Sequence, residues 1–159
     1  MKQSQSGVFL IEALIAILIF SIGILTLVAM QTATIQAQTA AQFRIEAASL
    51  ADQMSSNIWL NVRRNSQGLV DTASLTPFQH QPGGAKCAFM GAASAHPLVQ
   101  DWVTAATTAT NALPGATAEM QQILIDATAA GYNRVMVTVC WKTPSETTPH
   151  SHTVVTYIN

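Results

Sequence analysis

From Val8 to Met30 the chain reads VFLIEALIAILIFSIGILTLVAM, apolar apart from Glu12, Ser21 and Thr26. A run without a polar face predicts a helix that is apolar all round, and roughly 20 helical residues cross the hydrocarbon core of a bilayer. A secretory signal peptide has a shorter apolar core, about 7–15 residues, with a small-x-small cleavage site after it. Here the one candidate processing residue, Gly7, comes before the run, so the segment is expected to stay on the mature chain. The pattern then changes without breaking. Gln31 to Val62 holds neither proline nor glycine, and Phe43, Ala47, Leu50, Met54 and Ile58 recur at one-turn spacing. That is one face of an amphipathic helix, with Arg44, Glu46, Asp52, Gln53 and Asn57 mostly elsewhere. The two stretches predict one helix of up to about 55 residues, near 80 Å long. Strict heptads are not sustained, which argues against a coiled coil.

The sequence Arg63-Arg64-Asn65-Ser66-Gln67-Gly68 is expected to end this helix, with basic residues in its last turn and a glycine beyond. Residues 69–96 read as loop-rich, with Lys86-Cys87-Ala88-Phe89-Met90 as a short strand. Pro97 opens a helix expected to run to about Asn111, ahead of Leu113-Pro114-Gly115. Residues 119–127 fit a helical face through Met120, Ile123, Leu124 and Ala127, and equally a strand around Ile123-Leu124-Ile125. Tyr132 to Trp141 and His152 to Ile158 are β-branched and aromatic, hence two strands, and the linker between them is too long for a tight hairpin. The expected fold class is α+β: a long N-terminal helix packed on a small antiparallel sheet.

Composition sharpens this picture. Hydrophobic residues make up 49% of the chain and charged ones only 9%, against roughly 25% charged in soluble domains. A formal net charge of −1 gives no field for a phosphate backbone, so nucleic acid is not an expected partner. Arg63, Arg64, Lys86, Arg134 and Lys142 are too few and scattered to form a basic stripe. No P-loop, G-x-S-x-G or Cys–His arrangement is present, so no catalytic residues, no cofactor and no enzyme activity are expected. His150 and His152 would share a strand face, but with no third ligand nearby they read as surface histidines and not a metal site.

Glu12 is the anomaly. A carboxylate within a membrane span costs about 2.5–3.5 kcal/mol on insertion scales. It either snorkels to the interface or meets a cation, and the span itself has no Lys, Arg or His. The partner must then be another chain or a newly made N-terminus. Lys2, the one basic residue before the span, puts the short N-terminus on the cytoplasmic side and the remainder outside.

Gly7-Val8-Phe9-Leu10-Ile11-Glu12, running straight into the apolar stretch, resembles the type III signal of type IV pilins and type II secretion pseudopilins. The resemblance implies cleavage between Gly7 and Val8 by a prepilin peptidase, N-methylation of Val8, and Glu12 pairing with the Val8 amine of a neighbouring subunit. It divides the chain into a leader (1–7), a membrane and filament-core helix (8–30), an amphipathic continuation (31–62) and an exported head (63–159). Farther along, Asp101-Trp102, Leu113-Pro114-Gly115 and Val137-Thr138-Val139-Cys140-Trp141 follow in the order of minor pilins of the PilV type. Ile19-Phe20-Ser21-Ile22-Gly23-Ile24-Leu25 is also similar to that type. The implied function is to help prime pilus assembly, with other minor pilins, the major pilin and the inner-membrane assembly platform as partners. The implied location is the inner membrane, with a periplasmic head later built into the extracellular pilus.

An exported location favours a bond between Cys87 and Cys140, the two thiols present, over two separate buried thiols. It would close a loop of about 54 residues, worth about 4 kcal/mol in the chain-entropy account. Two other functions fit the same N-terminus: a minor pseudopilin of a type II secretion system, and a membrane-tethered periplasmic binding protein or enzyme. The second calls for a catalytic constellation in residues 63–159, and none is visible.

Overall fold

The computed structural model describes residues 6–128, 132–144 and 146–158. The fold is α+β with a long N-terminal helix, α1, spanning Ser6–Asn61 without interruption. After it come the short strands β1 (Gly83–Ala85) and β2 (Ala88–Met90), the helix α2 (Pro97–Thr107), and the strands β3 (Gln121–Asp126), β4 (Arg134–Trp141) and β5 (His150–Tyr157). β1 and β2 form an antiparallel pair, and β3-β4-β5 form an antiparallel sheet with β4 in the middle. The chain divides into two units, Met1–Gln42 and Phe43–Asn159.

In the first unit every side chain from Val8 to Gln42 is exposed. The amphipathic stripe begins only at the start of the second unit. There Ala47, Leu50, Met54 and Ile58 are buried and Phe43 is partly buried, in one core with Val135, Val137, Val139 and Trp141. These β4 residues alternate, so they face one side of the sheet. Trp102 of α2 joins the same core and donates its indole N–H to the Leu50 carbonyl, 3.0 Å away. Asp101 beside it is exposed.

The boundaries differ from the expected ones for local reasons. α1 stops at Asn61, so Arg63 and Arg64 lie past its last turn. The Arg63 N–H and C=O instead engage the Ser74 hydroxyl (3.0 Å) and the Asp71 N–H (2.8 Å). α2 ends at Thr107 and not near Asn111, because the Ala106 carbonyl accepts from Leu113 N–H, turning the chain back. Residues 86–90 are not one strand. Lys86 and Cys87 form the two-residue turn between β1 and β2, at φ 54° and 64°, the left-handed pair that a tight hairpin requires. The ambiguous 119–127 segment is a strand over Gln121–Asp126, after one 3-10 turn at Ala118–Met120. The last two strands begin at Arg134 and His150, each two residues away from the sequence reading.

One turn depends on glycine. Gly115, in Leu113-Pro114-Gly115, has φ 58°, and a Cβ there would sit 2.4 Å from the Lys142 carbonyl oxygen. Pro114 in turn accepts the Lys142 N–H at 2.9 Å. This closes the polar linker after β4 onto the turn after α2.

Gln121 makes a less obvious join. β3 ends one residue short of pairing with Cys140, and the Gln121 side chain takes the place of the missing backbone. Its amide donates to the Cys140 carbonyl (3.0 Å) and accepts the Cys140 N–H (3.3 Å), and the residue is fully buried. Gln121→Leu would leave both Cys140 groups buried and unpaired, so a loss of about 2–4 kcal/mol is expected. Chemical denaturation checks this: the midpoint should fall with the slope unchanged.

Candidate functional site

Two places carry the residues singled out by the sequence. The first is the start of α1. Ser6, Gly7 and Val8 all lie within it, and residues 1–5 of the segment expected to be a leader fall outside the described residues. This is the one helix among the described residues that is long and apolar enough to cross a membrane; its apolar 18-residue stretch has a mean hydropathy of 2.8 and none of that stretch is buried.

The polar side chains of the span divide sharply. Ser21 donates its hydroxyl to the Ile17 carbonyl at 2.7 Å, and Thr26 to the Ile22 carbonyl at 2.9 Å. Thr32, Thr34 and Thr39 repeat the pattern further on. Each hydroxyl is satisfied inside its own helix and can lie in an apolar medium. A carboxylate accepts but does not donate, and the helix interior has no free N–H to offer it. Glu12 accordingly has no hydrogen bond or ion pair among the described residues. It sits four residues after Val8, on the same face one turn along, about 6 Å up the axis.

The second place is the joint between the hairpin and the sheet. Cys87 and Cys140 are bonded, with their Cα atoms 5.8 Å apart. Cys140 lies on the sheet face opposite the α1 stripe, next to the buried Thr138. Gln122 reinforces the attachment by donating to the carbonyls of Gln81 (2.9 Å) and Gly83 (3.4 Å). Gln121 and Gln122 carry no signal in the sequence, since a buried glutamine leaves no periodic pattern.

The histidines are not brought together as a ligand set. His150 stacks on Trp141 with ring centroids 5.5 Å apart and bonds to the Glu146 carboxylate. His96 packs its ring on Phe78 at 4.2 Å. Among the described residues there is no group of three or more His, Cys, Asp or Glu that could hold a metal ion. The basic residues are similarly dispersed: Arg63 pairs with Asp71 at 3.4 Å, Arg134 with Asp126 at 3.6 Å, and Arg64 lies over the Trp59 ring. Hydrogen bonds from Thr143 and then His150 hold Glu146 below the usual carboxylate range, and those from Thr128 do the same for Asp126.

His80 is the buried titratable group. Its Nδ1 accepts the Ser94 N–H at 3.1 Å. Burial pushes its pKa down, against the smaller upward pulls of the Ala118 carbonyl and Glu119. The unfolded chain therefore binds this proton more readily than the folded one. Stability from His80 is full above the ordinary imidazole value, about 6.5, and is lost as pH falls from there toward the lower folded value. The denaturation midpoint should drop between pH 7.5 and pH 5, and His80→Gln should flatten that drop. An equal drop in the variant would assign the pH dependence elsewhere.

No protein-family model matches the chain, and no curated protein or solved structure matches it significantly.

Proposed function

We propose that the chain is a minor pilin of the PilV type that helps prime type IV pilus assembly. One observation carries this reading. The apolar part of α1 satisfies its hydroxyls internally, yet holds one carboxylate, Glu12, that has no hydrogen bond or ion pair among the described residues. An anchor that only tethered a head would be more stable in lipid without that group. A subunit that leaves lipid for a filament core gains a use for it, because a neighbour's N-terminal amine can meet it there.

The mechanism has three steps. The apolar helix holds the subunit in the inner membrane with the head in the periplasm. A prepilin peptidase cleaves after Gly7 and frees the Val8 amine, which is then methylated and stays cationic. Glu12 then draws the subunit into register, since a carboxylate in apolar surroundings is stabilised on reaching an opposite charge. The exposed faces of Val8 to Met30, released from lipid, pack against other pilin helices. The head, held rigid by the disulfide, presents loops to the other minor pilins. None of these steps calls for catalytic chemistry in the chain itself.

Mass spectrometry of the N-terminus, on protein from cells with an intact prepilin peptidase, tests this. The expected mature chain begins at Val8 and carries one N-methyl group. A chain that retains Met1, or begins elsewhere, overturns the reading.

A further inference from the structure

Residues 91–96 cross from β2 to α2 as a strap, and none of its side chains is fully buried. Apolar burial does little to hold such a segment, so it can open while the core stays folded. Hydrogen bonds tie it to residues 77–81 instead. The Gln81 N–H donates to the Ala92 carbonyl at 3.0 Å, and the Ser94 hydroxyl to the Pro77 carbonyl at 2.6 Å. The Ser94 N–H donates to His80 Nδ1 at 3.1 Å. At the end of the strap His96 lays its ring on the buried Phe78.

The bond to His80 is conditional on charge. A backbone N–H only donates, so Nδ1 must be bare and the ring proton must lie on Nε2. Nε2 is itself buried and has no well-formed hydrogen bond among the described residues. A proton added to Nδ1 would point two N–H donors at each other around a residue only 4% exposed. Little nearby offsets this. Glu119, in the turn Ala118–Met120, and the Ala118 carbonyl favour the charged ring, but less than burial opposes it. The turn Thr76–Phe78 and strands β1 and β2 have no titratable residue, and Lys86 lies at the tip of their hairpin. Asp126, the carboxylate of β3, is engaged by Thr128 and Arg134. The strap itself contributes His96.

Gln81, next to His80, holds φ 48° without being glycine. Its partners impose that backbone, the Ala92 carbonyl among them, and the residue itself does not favour it. We propose that the neutral His80 ring is an acid-released latch: protonation at Nδ1 frees Ser94, lifts residues 91–96 and uncovers Phe78, while the sheet stays folded. The backbone bonds of His80 to Ile123 and the Cys87–Cys140 bond do not involve the imidazole, so they persist. Beyond the strap, α2 stays seated through the buried Val99 and Trp102. This inference does not rest on the pilin reading.

The open strap leaves His80 near the ordinary imidazole value, about 6.5, and the closed one holds it lower. The latch is therefore at full strength above about 6.5. As pH falls from there toward the lower value, the closed-to-open ratio drops about ten-fold per pH unit.

Hydrogen exchange read by NMR, on the full chain in detergent at pH 7.5 and pH 5 and corrected for intrinsic rates, tests this. Protection of the Ser94 and Gln81 amides should fall about ten-fold in acid, while the β4 amides keep theirs. The Phe78 ring signals should shift with the same midpoint as those of the His80 ring. His80→Asn offers an amide oxygen close to the place of Nδ1, which accepts from Ser94 and does not titrate, so Ser94 protection should be equal at both pH values. His96→Gln should leave the fall in place. The shared midpoint of Phe78 and His80 decides the matter even where a variant does not fold. Unchanged Ser94 protection in acid, a fall shared by β4, a fall that persists in His80→Asn or vanishes in His96→Gln, or a Phe78 midpoint apart from that of His80 would each overturn the inference.

Discussion

Cys140→Ser is expected to lower the melting temperature of the full chain in detergent by about 10–15 °C. The bond joins residues 53 apart. Opening a loop of that size releases about 4 kcal/mol of chain entropy into the unfolded state, out of a typical 5–15 kcal/mol for a domain. The native side adds to this. Lys86 and Cys87 both occupy left-handed backbone, and neither is glycine, so the β1–β2 turn is not specified by its own residues. Its attachment to Cys140 is what keeps it in place. The double variant Cys87→Ser/Cys140→Ser should melt with the single one, since the effect belongs to the bond and not to a stray thiol. A shift of only a degree or two in both would show that the hairpin holds to the sheet through Gln122 alone.

The parts of the fold that were legible in the sequence are those with a long period and a single buried face. The α1 stripe from Phe43 to Ile58 follows the 3.6-residue repeat closely, and Val135, Val137 and Val139 follow the two-residue repeat. Trp102 could be read as a core anchor because a large apolar ring beside an exposed Asp101 has few other uses in a short helix. The β1–β2 hairpin was not legible. Its glycines, Gly83 and Gly84, sit within the first strand and not at the turn, so turn chemistry pointed to the wrong residues. The choice between helix and strand for 119–127 was decided by tertiary pairing. Ile123 is buried between the β4 ladder and His80, and no local property of the segment reveals that. Glu12 and the cysteines stood out as chemistry: a charge in an apolar run, and two thiols with nothing else to bind.

Glu12→Ala is expected to abolish most filament incorporation while leaving the head intact. No side chain from Val8 to Gln42 is buried, so no core contact is lost and the melting temperature should not move. Membrane level should hold or rise, because removing a carboxylate lowers the cost of insertion. The same cost, about 2.5–3.5 kcal/mol, bounds what Glu12 can gain by meeting a neighbour's amine on leaving lipid, which corresponds to roughly a hundred-fold in incorporation. Glu12→Gln separates charge from shape. Its amide keeps the length and can bond along the helix, but it cannot pair with a cation as a carboxylate does, so it should assemble nearly as poorly as alanine. Filament fractions quantified against the membrane pool provide the measurement. Normal incorporation of the alanine variant would mean that the carboxylate does not guide docking. Normal incorporation of the glutamine variant alone would make Glu12 a hydrogen-bonding residue instead of a counter-ion. The contrast between the two variants therefore tests the chemical step on which the assembly mechanism depends.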